Sequence, residues 1–331
     1  MSRHPEPLPT ALGVRFTTGQ AVAAGVSRRR LRSRDLTAPF HGVRRRMADV
    51  RAQHRENAAE VGPLAITRRI ARDALALARA YAPTMTPRSF YTGRTVLALR
   101  GLPFGDAELL DIGVIAPRRA PRARGVRGRK VEARLVDLEV IDGLTLSTAP
   151  ATWAMLARDL TERQLTILAD AIIHVPRDSR GVQMPARAIA TIAQLTEAMN
   201  VPGRPNRERL RAALERARTG SASVLESEYR LDAEAGGLPE PELDVEIFDA
   251  KGARIGISEI VYPQYRLVVE IEGDHHRTSR AQWNRDLEKY RDYADAGWEV
   301  IRVASAHIRK QRSAVATVQA ALIRKGWSPV G

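Results

Sequence analysis

At 331 residues the chain is long enough for two or three domains with their own cores. No apolar run approaches the roughly 18 residues of a membrane span, and the start, MSRHPEPLPT, does not read as a signal peptide. With zero cysteines, disulfides, thiolate metal sites and cysteine nucleophiles are excluded together, and a cytoplasmic protein with no membrane partner is expected. The formal charge of +15 is unevenly spread: residues 1–222 carry net +18 and residues 223–331 net −3. Such a division suits a protein that grips phosphates with one part and collects metal-binding carboxylates in another.

The first segment, FTTGQAVAAGVSRRRLRSRDLTAPFHGVRRR, reads as a small helical unit. Thr17 or Thr18 can cap a helix carrying Ala21, Val22 and Ala24. Gly25 ends it, and Ser27 can cap a second helix holding Arg28, Arg29, Arg30 and Arg32. Two short helices joined at a glycine, the second rich in arginine, predict a winged helix-turn-helix over residues 1–60, with PFHGVRRR as the wing. Arg28, Arg29, Arg30, Arg32, Arg44 and Arg45 are its candidate nucleic-acid contacts. The bland alternative is a solvated arginine face.

Residues 61–195 mix helical and strand patterns and predict an α/β middle domain. ELLDIGVIAP and VEARLVDLEVIDGLTLS look like strands, and APATWAMLARDLTERQLTILADAIIH returns to helix. PRRAPRARGVRGR is an exposed loop and a second candidate for phosphate contact. Asp170 and His174, one helical turn apart, are expected to be structural. Residues 196–221 read as a basic helical linker whose helix is capped by Asn206.

Residues 222–331 predict the order αβββαβα. The first helix, VLESEYRLDAEAG, stops at Gly236 and Gly237, and the strands LDVEIF, ARIGISEIVY and RLVVEIE follow. A helix then presents Trp283, Leu287, Tyr290 and Ala294 on one face, ahead of the strand WEVIRV and a closing helix. Along the third strand, Leu267, Val269 and Ile271 can face a core while Val268, Glu270 and Glu272 share the other side. Glu270 and Glu272 then sit roughly 7 Å apart, an arrangement that calls for a cation or a solvent-filled cleft. A tight YPQY hairpin brings Glu259, from the stripe Ile255, Ile257, Val261, level with Val268 and Glu270. Glu259 and Glu270, with Glu226 from the first helix, can thus converge, and their hard oxygens suit Mg²⁺ or Mn²⁺.

In LESEYR, GISEIVYP, VVEIEGDHHR, NRDLEKY and AGWEVIRV, taken in that order, residues 222–325 resemble the very-short-patch-repair-like branch of the PD-(D/E)xK, or restriction-endonuclease-like, superfamily. The resemblance implies Glu226 as the first-helix glutamate, Glu259 and Glu270 as metal ligands, His276 as the catalytic histidine and Asp286 as the helix aspartate. The hairpin ligand is usually Asp, so Glu259 is a departure with a longer reach. Glu272 stands where the superfamily has its lysine, which this branch commonly lacks. FTTGQAVAAGVSRRRLR, PFHGVRR, LRGLP, LSTAPATW and LADAIIH look like the winged helix and following domain of AbiEi-type abortive-infection antitoxins.

Together these imply a DNA-binding endonuclease that hydrolyses phosphodiester bonds with Mg²⁺ or Mn²⁺, in phage defence or DNA repair. His276, or His275 in its stead, would orient water or protonate the leaving oxygen. RNA stays open as substrate, since phosphodiester chemistry does not distinguish the sugars. The competing expectation is a non-enzymatic antitoxin and transcriptional regulator with a degenerate nuclease domain and a cognate toxin as partner.

Overall fold

The computed structural model describes residues 5–62, 64–272 and 280–329, with the side chains of 280–287 outside that description. The described chain is mixed α/β, with twelve α-helices and three sheets. No described helix is long and apolar enough to cross a membrane. Contacts divide the chain into two compact units, Met1–Arg158 with Glu197–Pro205, and Asp159–Thr196 with Asn206–Gly331. These boundaries differ from the expected ones for a packing reason. Phe40 and Val43 share one apolar cluster with Tyr81, Tyr91 and Ile112, which merges the first two expected domains.

The first unit begins with β1 (Arg15–Thr17), α1 (Thr18–Ala23), β2 (Leu36–Thr37) and β3 (Val43–Arg46), an antiparallel sheet in the order β1-β3-β2. Thr17 caps α1 in a reciprocal capping box with Gln20. Ser27 accepts the Arg30 N–H at 3.2 Å, but only a single 3₁₀ turn, Arg30–Arg32, follows where an arginine-rich helix is expected. The reason is that adjacent residues both point inward. Leu31 packs with Phe16 and Val26, while the Arg30 guanidinium donates to both Asp35 oxygens at 2.9 and 2.8 Å. Consecutive inward side chains fit a tight turn and not a helix with one buried stripe.

The unit continues through α2 (Met47–Ala59), α3 (Ala65–Tyr81), β4 (Ser89–Tyr91), α4 (Gly93–Leu99), β5 (Leu110–Ile115) and β6 (Val126–Val131). β7 (Leu138–Ile141), β8 (Leu144–Ser147) and α5 (Ala149–Met155) complete it, and the strands form a mixed sheet in the order β6-β5-β4-β8-β7. Asp142 and Gly143 join β7 to β8 with φ of 50° and 75°, which is why a two-residue Asp-Gly turn suffices there.

In the second unit, α6 (Glu162–Ile173) is capped by Thr161, and the chain crosses between units within α7 (Ile192–Asn200). α8 (Arg207–Glu215) and α9 (Val224–Ala235) both pack on α6, which is why residues 159–196 belong here. Asn206 gives α8 no side-chain cap bond. There follow β9 (Glu242–Phe248), β10 (Arg254–Tyr262), β11 (Leu267–Glu272), α10 (Arg280–Asp295), β12 (Glu299–Ala304), α11 (Ser305–Arg309) and α12 (Ala314–Arg324). The sheet order is β12-β11-β10-β9, antiparallel except for β11 and β12, whose parallel pairing is allowed by the α10 crossover.

One sheet face carries Leu267, Val269 and Ile260 against Tyr229 and Val318. The other carries Val261 and Val268 against Tyr293. On α10 the sheet-facing position is Tyr293, fully buried, whereas Ala294 is exposed. The expected face through Tyr290 and Ala294 is therefore turned by one residue, about 100° around the helix axis.

Candidate functional site

The site forms where the β10 ladders open. Pairing with β9 matches Ser258 to Val245 and Ile260 to Leu243 but skips Glu259, and opposite it Asp244 takes φ of 55°. Pairing with β11 begins only at Ile260 with Val269. A backbone N–H left without a ladder partner must find another acceptor. The Ile271 N–H finds the Glu259 carboxylate, donating to Oε2 at 2.9 Å. The sequence therefore places a long acidic side chain where the strand backbone cannot serve, and the reach of Glu rather than Asp has a direct use.

Two further carboxylates stand by. Glu226, 3% exposed in the first turn of α9, accepts the Ala222 N–H on Oε2 at 2.8 Å. Glu270 accepts on Oε1 from the Ser258 hydroxyl at 3.0 Å and from the Lys289 ammonium at 3.1 Å. Glu259 and Glu270 are thus each pinned by one oxygen, and the described residues give the other oxygen no hydrogen bond, while the Ser223 side chain joins the Ala222 N–H at Glu226. Asp244 is not in this condition, because Arg177 grips both of its oxygens at 2.7 and 2.9 Å.

Electrostatics records the crowding. Burial, then the charge of Glu226, pushes Glu259 up to about 8, and Glu270 adds to the effect. Burial likewise raises Glu226, with Asp244 and Glu270 contributing. Lys289 is the counter-charge: burial pulls its pKa down, and Glu270 with Tyr293 more than restores it. Sequence reading passed over Lys289, Ser258 and Tyr293. The Ser258 hydroxyl also lies 2.8 Å from the Tyr293 hydroxyl, and Lys289 Nζ sits 5.2 Å from the centre of the Tyr293 ring. The available signal was the i, i+4 spacing of Lys289 and Tyr293, which puts both on one helix face.

Among the described residues no group of three or more His, Asp or Glu is arranged to hold a metal ion. The donor set nonetheless fits a hard divalent cation by type and charge. Mg²⁺ is commonly held by one or two carboxylates and keeps several waters, and Glu259 and Glu270 offer two. Buried Glu226 and half-buried Glu259 and Glu270 face one ammonium, and the raised pKa of the first two records acids whose ionisation a bound cation would favour.

The other expected residues divide. Glu272 pairs with Arg302, away from this cluster's hydrogen bonds. His275, His276 and the Asp286 side chain lie outside the described residues. In the first unit Arg28, Arg29 and Arg32 are exposed. Arg30 is 9% exposed and paired with Asp35, so it belongs to the core and not to a phosphate-facing surface. Arg44 donates to the Leu31 and Val43 carbonyls at 2.7 and 2.9 Å, and Arg45 to Gln53. Arg118, Arg119, Arg122 and Arg124 in the basic loop are exposed. No family model, curated protein or solved structure matches the chain.

Proposed function

We propose that the chain is a DNA-directed, metal-dependent endonuclease of restriction-endonuclease-like type, with the carboxylates in its second unit and a winged-helix-like basic surface in its first. The observation that supports this best is the pinning of Glu259 and Glu270 by one oxygen each at the opened ladder, with Glu226 of α9 beside them. Glu259 and Glu270 would hold Mg²⁺ or Mn²⁺, which when bound supplies an activated water and offsets charge on the scissile phosphate.

This chain's residues then have separate tasks. Ile271 and Ser258 fix the ligand carboxylates before any substrate arrives, and such preorganisation is what positions a reacting group. Buried Glu226 adds negative charge beside Glu259, which favours cation entry over an empty site. Arg28, Arg29 and Arg32, with the basic loop, supply exposed cations for the phosphate backbone.

The test is nicking of supercoiled plasmid and cleavage of mismatched and single-stranded oligonucleotides with Mg²⁺ or Mn²⁺, run beside Glu270→Ala. Metal-dependent cutting by the wild type that disappears in the variant is the expected outcome. A second reading, the antitoxin-type regulator with a retired nuclease domain, draws on the lack of a three-ligand group among the described residues. It predicts tight DNA binding by both proteins, cutting by neither, and no response to Mn²⁺.

A further inference from the structure

We infer that Lys289 is the positioning residue of the carboxylate site, holding Glu270 from α10. The inference rests on the nuclease reading above and adds to it a residue that no strand motif would reveal.

The geometry carries it. Lys289 Nζ donates to Glu270 Oε1 at 3.1 Å and to the Ile257 carbonyl at 3.3 Å, so it ties the ligand strand β11 to its neighbour β10 at the site. With Ser258 as a second donor to the same oxygen, it holds Glu270 Oε1 from two sides and leaves Oε2 outside both hydrogen bonds. A charge-assisted hydrogen bond of this kind is short, directional and stronger than a neutral one.

The strand beneath is cleared for it. At Gly256 a Cβ would lie 3.0 Å from Lys289 Cε and 2.9 Å from the Tyr293 hydroxyl. Gly in a strand interior weakens the strand and marks a place where another group approaches closely. Here the approaching groups are Lys289 and Tyr293, one turn apart on α10. Glu272, two positions further along β11, pairs with Arg302. The site thus has one ammonium among its described residues, and it comes from the helix.

The experiment measures Mn²⁺ binding by titration calorimetry on the metal-free protein and plasmid nicking at saturating Mn²⁺, for wild type, Lys289→Met and Lys289→Arg. Lys289→Met should bind Mn²⁺ at least as tightly as wild type, because a like charge beside the cation is gone. It should nick about a hundredfold more slowly, the cost of letting a reacting group shift by about 1 Å. The loss should fall on turnover and not on the half-saturating plasmid concentration, and Lys289→Arg should recover part of it. Unchanged nicking in Lys289→Met overturns the inference, as does loss of Mn²⁺ binding together with nicking, which would make the lysine a packing element only. A wild type that never cuts refutes the nuclease reading itself, and the inference with it. A cutting wild type with an equally active Lys289→Met refutes the inference alone.

Discussion

The second unit buries two clusters of charge, and they are built on opposite terms. Asp170 on α6, 0% exposed, has both oxygens engaged: Oδ1 by the Arg218 N–H at 2.7 Å, Oδ2 by the Ser227 hydroxyl at 2.7 Å and by Arg230 at 2.8 Å. One carboxylate meets one guanidinium, and the account of charge closes. The Glu226, Glu259 and Glu270 cluster has three carboxyl groups and one ammonium, and Glu259 and Glu270 are each pinned by one oxygen. Burial of charge alone therefore does not mark a site. What separates the two clusters is whether the oxygens are used up. The clusters are also linked, since Ser227 bonds Ser221 at 2.8 Å and the next residue, Ala222, donates to Glu226.

The largest effect should come from breaking the closed cluster. Asp170→Ala leaves Arg230, 4% exposed, without its partner and should cost about 3–5 kcal/mol in urea unfolding. A cost below about 1 kcal/mol would mean that the cluster is no closed pair and would erase the contrast. The open cluster should respond to metal instead. At Mn²⁺ a hundredfold above its dissociation constant the wild type should gain about 2.7 kcal/mol, and Glu259→Gln should lose that gain without unfolding. A Glu259→Gln protein that still gains would remove Glu259 from the ligands.

Acidity probes the open cluster next. Glu259, ordinarily near 4.5, is pushed up to about 8 by burial and by Glu226, so between those values the folded protein holds a proton that the unfolded chain has lost. Stability present below the lower value is therefore lost as pH rises through the window, at about 1.4 kcal/mol per pH unit for one proton. Urea midpoints of metal-free protein from pH 5 to pH 9 should fall accordingly, and Glu259→Gln should flatten the fall. A wild type whose midpoint rises over that range would show that the cluster is already neutralised.

The parts of this arrangement that follow chain-local rules were legible in the sequence. Alternation along β11 put Leu267 and Val269 into the core, and the four-residue turn after Tyr262 brought Glu259 level with Glu270. The opened ladder was not legible, because it depends on the φ of 55° at Asp244 on a different strand. Nor was Lys289. Apolar periodicity suggested a helix face through Tyr290 and Ala294, but the phase of α10 is set by Tyr293 and Lys289 fitting over Gly256. Arg30 and its exposed neighbours Arg28, Arg29 and Arg32 read alike in one dimension. Only the ion pair with Asp35 tells them apart. The unit boundaries were hidden for the same reason: that α6 joins α8 and α9 is a fact of packing between distant segments.

The smallest effect tests where the open cluster ends. Glu272 follows Glu270 by two positions on β11, so alternation alone would count it as a fourth carboxylate of the site. Its partner is Arg302, which also lies over the Tyr290 ring at 5.4 Å, and the two paired side chains are 37% and 38% exposed. Solvent at that exposure weakens the pair, so Glu272→Ala should change stability by less than about 1 kcal/mol. It should also leave the Mn²⁺ gain intact, because Arg302 and solvent already answer its charge. A Mn²⁺ gain that shrinks in Glu272→Ala would place its carboxylate among the ligands. The open cluster would then be larger than its hydrogen bonds indicate, and Arg302 would be a cation that gives way when metal enters.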